Sequence, residues 1–296
     1  MWRMQSKVTT LPQPAADGSL PGQDLSRDQA MVAAAARRRR FLRVLPWLVF
    51  VVMLIVWEGA ARLFAIPEFI LPAPTVVGMT IWKWWTPILV NAQHTFVTTI
   101  IGFALANVLG LTLGILIGSS TYVYHGLYPL LIAFNSIPKV ALVPILVIWF
   151  GIGTPPAIVT SFLISFFPIA VNVAAGIATV EPELRDVLRA LGAKPVKIVL
   201  KVGLPRSMPY YFASLKIAIT SSFLGSILAE TIAGQRGIGH LMIVASSRFE
   251  VPLVFAGVVV TAIMSVAMYT VATLIETRTI SWATRGQADP NSATGV

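Results

Sequence analysis

The stretch Glu181-Pro-Glu-Leu-Arg-Asp-Val-Leu-Arg-Ala-Leu-Gly192-Ala-Lys-Pro-Val-Lys-Ile-Val-Leu-Lys-Val-Gly-Leu204-Pro205 is a polar hairpin set between long apolar segments. Pro182 suits the first turn of a helix, and Glu181 and Glu183 complement that helix's positive end. Leu184, Val187, Leu188 and Leu191 fall at i, i+3, i+4 and i+7 and form one apolar stripe. Glu183, Arg185, Asp186 and Arg189 cover the other faces. Gly192 follows the last apolar residue, where a left-handed residue would end the helix. Lys194-Pro195 opens a second short helix, with Val196, Val199 and Leu200 on one side and Lys197 and Lys201 on another. Leu204-Pro205 is expected to end it. Two such helices must bury their stripes against their own bundle, the lipid interface or a partner in the cytosol.

The rest of the chain is built for lipid. Of 296 residues, 56% are hydrophobic and 11% charged, with a mean hydropathy of +0.79. Soluble domains carry about 25% charged residues, so one aqueous core could not hide this much apolar surface. The net charge of +10 would suggest nucleic acid in a soluble protein. Here it follows the cytoplasmic side of a membrane, and no nucleic-acid partner is expected. Cysteine is absent, which excludes disulfides and thiolate metal sites. His94, His125 and His240 lie too far apart in sequence to suggest a metal centre.

The pattern predicts an all-α integral membrane protein with about six transmembrane helices. A helix needs about 20 apolar residues to cross the hydrocarbon. The candidate spans are 45–66, 94–118, 127–150, 155–178, 209–233 and 252–276. Pro138 and Pro144 in the third span and Pro168 in the fourth predict bends or local unwinding. Residues 1–44 carry eight Arg or Lys against three Asp, and 181–206 carry six against three acids. The intervening loops 67–93, 151–154 and 234–251 are nearly uncharged or balanced. This bias places both termini and the hairpin in the cytoplasm, with the chain multi-pass in the cytoplasmic membrane. Three regions follow: a disordered basic tail over 1–44, a membrane domain over 45–276 with its core at 91–276, and a short cytoplasmic tail over 277–296. The tail is expected to be no signal peptide, since no short apolar run with a cleavage site follows its start. Arg37 to Arg40 and Arg43 abut the first span as a cytoplasmic anchor.

Two further features are structural in kind. Trp82, Trp84 and Trp85 cluster as an interfacial anchor after Pro67-Glu-Phe-Ile-Leu-Pro72-Ala-Pro74. Ala106, Gly110, Gly114 and Gly118 at four-residue spacing make a smooth stripe, which predicts close helix packing inside the bundle or across a dimer interface.

The hairpin resembles the EAA loop of type I ABC importer permeases. That family's pattern is Glu-Ala-Ala, three residues, Gly, nine residues, Ile, one residue, Leu-Pro. Asp186, Val187 and Leu188 stand at the opening triplet, which is degenerate, and Val202 replaces Ile. Gly192, Leu204 and Pro205 match in type and spacing. Pro138-Lys-Val-Ala-Leu-Val-Pro144 with Ile148-Trp149-Phe150-Gly151-Ile-Gly153, Leu228-Ala-Glu230 with Gly237-Ile-Gly239, and Leu71-Pro-Ala-Pro74 are similar to the nitrate, sulfonate, taurine and pyrimidine-precursor branch. The likeness covers roughly 45–276. It implies a membrane-spanning permease of an ATP-driven, binding-protein-dependent importer that moves a small polar or anionic solute by alternating access. The hairpin would then seat in a cytosolic ATPase, with Leu184, Val187, Leu188 and Leu191 buried there, Asp186 and Arg189 beside them, and Gly192, Leu204 and Pro205 setting the turns. The chain carries no G-x-x-x-x-G-K-[ST] phosphate loop, so ATP and Mg would be bound by the partner ATPase and this chain would hold no cofactor and catalyse no reaction. Two ATPase subunits, a second permease (most simply a second copy in a homodimer, with a heterodimer the alternative) and an extracytoplasmic solute-binding protein complete the implied assembly.

Polar residues inside the spans are the candidates for a path or gate. Glu58 and Arg62, four apart, can pair along one helix. Lys216 can snorkel from the inner end of its span. Lys139 either lines a pathway or supports a helix break. The family-like position of Glu230 implies an outer gate or a binding-protein contact. Asn172 and Ser221, with Asn135, Ser136, Ser161, Ser165, Thr220 and Ser222, either line the path or hydrogen-bond within the helices. A stand-alone secondary transporter or channel is the competing class. It would need intramembrane coupling carboxylates and often repeated halves, and neither stands out. An intramembrane enzyme would need a convergent set of reactive groups, which is also not evident.

Overall fold

A computed structural model describes residues 21–280. All described regular structure is helical: α1 (Pro21–Leu63), α2 (Pro74–Lys83), α3 (Trp85–Gly118), α4 (Thr121–Asn135), α5 (Val143–Phe150), α6 (Thr154–Ala178), α7 (Pro182–Ala190), α8 (Pro195–Ile198), α9 (Leu204–Ala233), α10 (Ile238–Ser247) and α11 (Val251–Thr279). Five helical stretches are long and apolar enough to cross a membrane, and a sixth crossing results if the bent pair Thr121–Asn135 and Lys139–Phe150 is one span. Residues 1–20 and 281–296, parts of the two expected tails, lie outside the described residues. Residues 21–44, read from the sequence as disordered tail, belong to α1 instead. Chain contacts separate two units, one ending at Gly59 and the other beginning at Ala60.

Within the second unit, α3, α6 and α9 form the centre. The small-residue stripe of α3 packs inside the chain against α6. A Cβ added to Gly102, Gly114 or Gly118 would meet Ser161, Val173 or Ile177 Cβ at 2.6–2.7 Å, and one at Gly110 would meet Ile169 at 3.0 Å. The residue offset stays at 59 along the whole seam, so α3 and α6 run parallel and in register. Antiparallel α9 closes the trio: a Cβ added to Gly225 would meet the Ser161 backbone at 2.9 Å, and one added to Gly176 would meet Ser207 Cβ at 2.9 Å. With no hydrophobic drive between helices in lipid, this backbone-to-backbone approach is what dispersion and short hydrogen bonds can use. Ala106, Ile169, Val173, Ile177 and Ala218 fill the centre of the seam.

The expected break in the third span occurs. The chain bends by 75° between Asn135 and Lys139, where Pro138 blocks continuation. At Pro168, by contrast, α6 continues unbroken. Leu204-Pro205 does not end the second hairpin helix either. Residues 199–203 form a π turn that runs α8 into α9. The wider turn absorbs the N–H that Pro205 lacks.

α10 lies in what the sequence presented as the loop 234–251. Ile238 and Ala245 pack with Val77 of α2, Ile88 and Ala92 of α3, and Leu253 and Ala256 of α11. The tryptophans divide: Trp82 and Trp85 are exposed, while Trp84 packs against this cluster.

Candidate functional site

Two sites stand at opposite ends of α9, whose 30 residues span about 45 Å. The first is the hairpin. Pro182 lies in the opening turn of α7, and Gly192 takes φ +81°, the left-handed conformation expected after the helix. Among the described residues nothing crowds Gly192, so there the glycine serves the turn. Arg185 donates to the carbonyl of Ile177 at 2.8 Å and ties α7 to the end of α6. Arg206 donates to Glu181 and ties the base of the hairpin, which holds the Glu181 carboxyl below the usual carboxylate range. Gly203 packs on Ile177 and seats the π turn.

The hairpin's apolar stripe is left open. Leu191 is 78% exposed, Val187 56% and Leu184 37%, and Leu188 is half-buried. Val196 and Leu200 of the second limb are exposed as well. Asp186 and Arg189 pair at 3.4 Å on the outer surface. Leu204 and Pro205 lie in the first turn of α9, away from this stripe.

The second site is at the far end of α9. Glu230 is 1% exposed. Thr95 of α3 donates to Glu230 Oε2 at 2.8 Å, and the N–H of Gly239 donates to the same oxygen at 3.1 Å. Thr98 and Ser226 hydroxyls lie 3.4 Å from Oε1, and His94 Nδ1 lies 3.6 Å away. Thr95 also accepts the Ile238 N–H at 2.8 Å, and Asn91 accepts that of Gly237 at 2.8 Å. Three of the four orphan donors at the start of α10 are thus satisfied by side chains from α3 and α9. Gly237 has φ +107°, and any side chain there would run into the Glu230 carboxylate. Glu230 therefore presents no surface to a binding protein, contrary to one of its expected roles.

The other proposed path residues are occupied locally. Lys139 donates to Asn135 O at 2.6 Å and Oδ1 at 2.8 Å and sits over the Phe167 ring, so it closes the end of α4 at the break. Asn172 donates to Pro168 O within α6. Ser136, Ser165 and Thr220 likewise bond to their own helices. Ser221 is half-buried, while its neighbour Ser222 makes the interhelical contact, 2.5 Å from Ser161. Lys216 pairs with Glu276 of α11 at 2.8 Å instead of reaching for an interface alone. Lys139, Asn172, Ser221 and Glu230 are not brought to one point. Thr95, Thr98, Ser226 and Asn91 were missed by sequence reasoning. The four-residue spacing of Asn91, Thr95 and Ser222, Ser226 and Glu230 on two helices was the available signal.

The described residues thus form a helical membrane bundle with a broken span, a parallel α3–α6 seam and an open amphipathic hairpin between α6 and α9. Residues 106–281, more than half of the chain, match the family described as "Binding-protein-dependent transport system inner membrane component", and the chain belongs to that family. It is 30% identical over 224 residues to a probable ABC transporter permease protein of Haemophilus influenzae, covering 76% of this chain and 91% of the relative. It is 27% identical to a formylaminopyrimidine transport permease protein of Halalkalibacterium halodurans, covering 83% and 98%. Its fold is similar to a chain of the MetNI methionine ABC transporter, with a TM-score of 0.56 and 21% identity over 67% of this chain and 96% of that one.

Proposed function

We propose that this permease works as a homodimer beside two cytosolic ATPase subunits and an extracytoplasmic solute-binding protein. Both termini and the hairpin face the cytoplasm. The assembly imports a small polar or anionic solute, a pyrimidine precursor, nitrate, taurine or another sulfonate. ATP and Mg belong to the ATPase, which closes on ATP and pushes the hairpins, and the helices rock between inward- and outward-open forms.

One observation carries this reading: Leu184, Val187, Leu191, Val196 and Leu200 are all exposed on a short, firmly tethered hairpin. Covering such a stripe is worth about 25 cal/mol per Å², so a cytosolic groove would gain from taking it. Arg185 and the Glu181–Arg206 tie would transmit the push into α6 and α9. Leu188→Arg puts a charge into the docked stripe, and Gly192→Asp disturbs the left-handed turn.

The test is a mild-detergent pull-down of the tagged chain from its native membrane, with partners identified by mass spectrometry. The expected result is an ATPase and a solute-binding protein with the wild type. With either variant the ATPase is lost, while the permease level in the membrane holds. Capture of the permease without an ATPase under several gentle conditions would instead favour a stand-alone transporter.

A further inference from the structure

We propose that Glu230 is a positioning residue: with Thr95 and Asn91 it locks the first turn of α10 onto α3, so that these ends of α3, α9 and α10 travel as one body through the transport cycle. The inference rests on the reading of the chain as an ATP-driven permease.

The geometry is specific. α10 carries no cap from its own flanking residue. Its first three donors, on Gly237, Ile238 and Gly239, go instead to Asn91, Thr95 and Glu230. A carboxylate at a helix start also meets the positive end of the helix dipole. The turn leading into α10 is moulded on the same group. Gly234 N–H donates to Glu230 O at 2.9 Å, and Gly237 leaves room only for a hydrogen against the carboxylate. The lock reaches a fourth segment. Gly153, which precedes α6, donates to Ala233 O at 3.0 Å, and Thr154 contacts His94 at 3.2 Å. The ends of α3, α9 and α10 therefore meet at one buried side chain, and the start of α6 is tied to α9 and α3 beside it. Breaking the Thr95 or Gly239 tie to Glu230 would leave buried polar groups without partners, which is costly where water is excluded. The hairpin has no comparable ties on its stripe, so motion is expected there and rigidity here.

The test is hydrogen exchange by mass spectrometry on the assembled importer, with and without trapped ATP. Wild type is expected to protect the Gly237–Gly239 amides equally in both states, while the 181–205 hairpin changes its exchange. Glu230→Ala should speed exchange of these three amides by about tenfold or more. Glu230→Gln should retain most of the protection, because its carbonyl oxygen can take the place of Oε2 and its amide can donate to the Thr98 and Ser226 hydroxyls. Asn91→Ala, which removes one tie only, serves if Glu230→Ala fails to fold and should expose Gly237 first.

Exchange at Gly237–Gly239 that changes with nucleotide while the hairpin also responds would overturn the proposal. So would an unaltered rate in Glu230→Ala or Asn91→Ala. A hairpin that ignores nucleotide would count against the ATPase reading alone, since the variant comparison in nucleotide-free protein still judges the lock.

Discussion

At the scale of single residues, Lys216 and Lys139 each sit where another group answers the charge. Lys216 and Glu276 meet at 2.8 Å between α9 and α11, with side chains 22% and 16% exposed. From the sequence Lys216 had only a snorkelling role, because a partner 60 positions away on another helix leaves no local signature. Removing one partner strands the other in a half-buried place. Lys216→Met is expected to lower stability by about 1–3 kcal/mol, less than a fully buried pair would lose. The reversed pair Lys216→Glu with Glu276→Lys should recover most of it, as thermal unfolding in detergent will show. A reversed pair no better than the single variant would mean the contact contributes packing alone. Lys139 teaches the complementary lesson. Its charge is spent on the end of α4 and on Phe167, so a lysine at a broken span reads as support for the break.

At the scale of elements, the glycine stripe was legible because its spacing repeats every helical turn. What it faced was not. Whether a smooth face meets a neighbour in the same chain or in a second copy depends on three-dimensional packing, and here it meets α6. Gly114→Val would place its Cβ 2.7 Å from Val173 Cβ and 2.9 Å from Ala170 O. Backbone cannot yield as a flexible side chain does, so the loss should reach about 1–3 kcal/mol or more. Membrane-inserted protein and melting temperature should both fall. The same substitution at Gly126, where an added Cβ would meet no other described residue within 4 Å, should be silent by both measures. Equal effects at the two positions would remove the packing argument. α10 was hidden for a different reason. It has ten residues, no cap in its own sequence and flanking charges that read as loop. Its start is stabilised from α3 and α9, and no window along the chain contains that information.

For the molecule as a whole, orientation follows from charge, and the helices supply the distances. The hairpin and α10 lie at opposite ends of α9, so they should lie on opposite sides of the membrane. The chain is free of cysteine, which makes single-cysteine labelling direct. Val187→Cys on the hairpin and Ser246→Cys on α10 are both exposed positions. In intact cells a membrane-impermeant maleimide is expected to label Ser246→Cys and to spare Val187→Cys until the cells are opened and the docked ATPase is stripped from the membrane. Labelling of Val187→Cys alone in intact cells would invert the topology. Labelling of both would remove the two-sided arrangement.

Sequence by itself determined the membrane character, the six apolar segments, the amphipathic hairpin with its left-handed glycine, and the kinship to the permease family. Each of these is local: a run of apolar residues, a period of 3.6, a φ that glycine favours, a motif at fixed spacing. Tertiary structure decided the parallel register of α3 and α6, the continuity of α8 into α9, the existence of α10, and the burial of Glu230. These depend on groups far apart in the chain satisfying one another where water is excluded. A buried carboxylate and three orphan amides are each unfavourable alone, and only their meeting makes either stable.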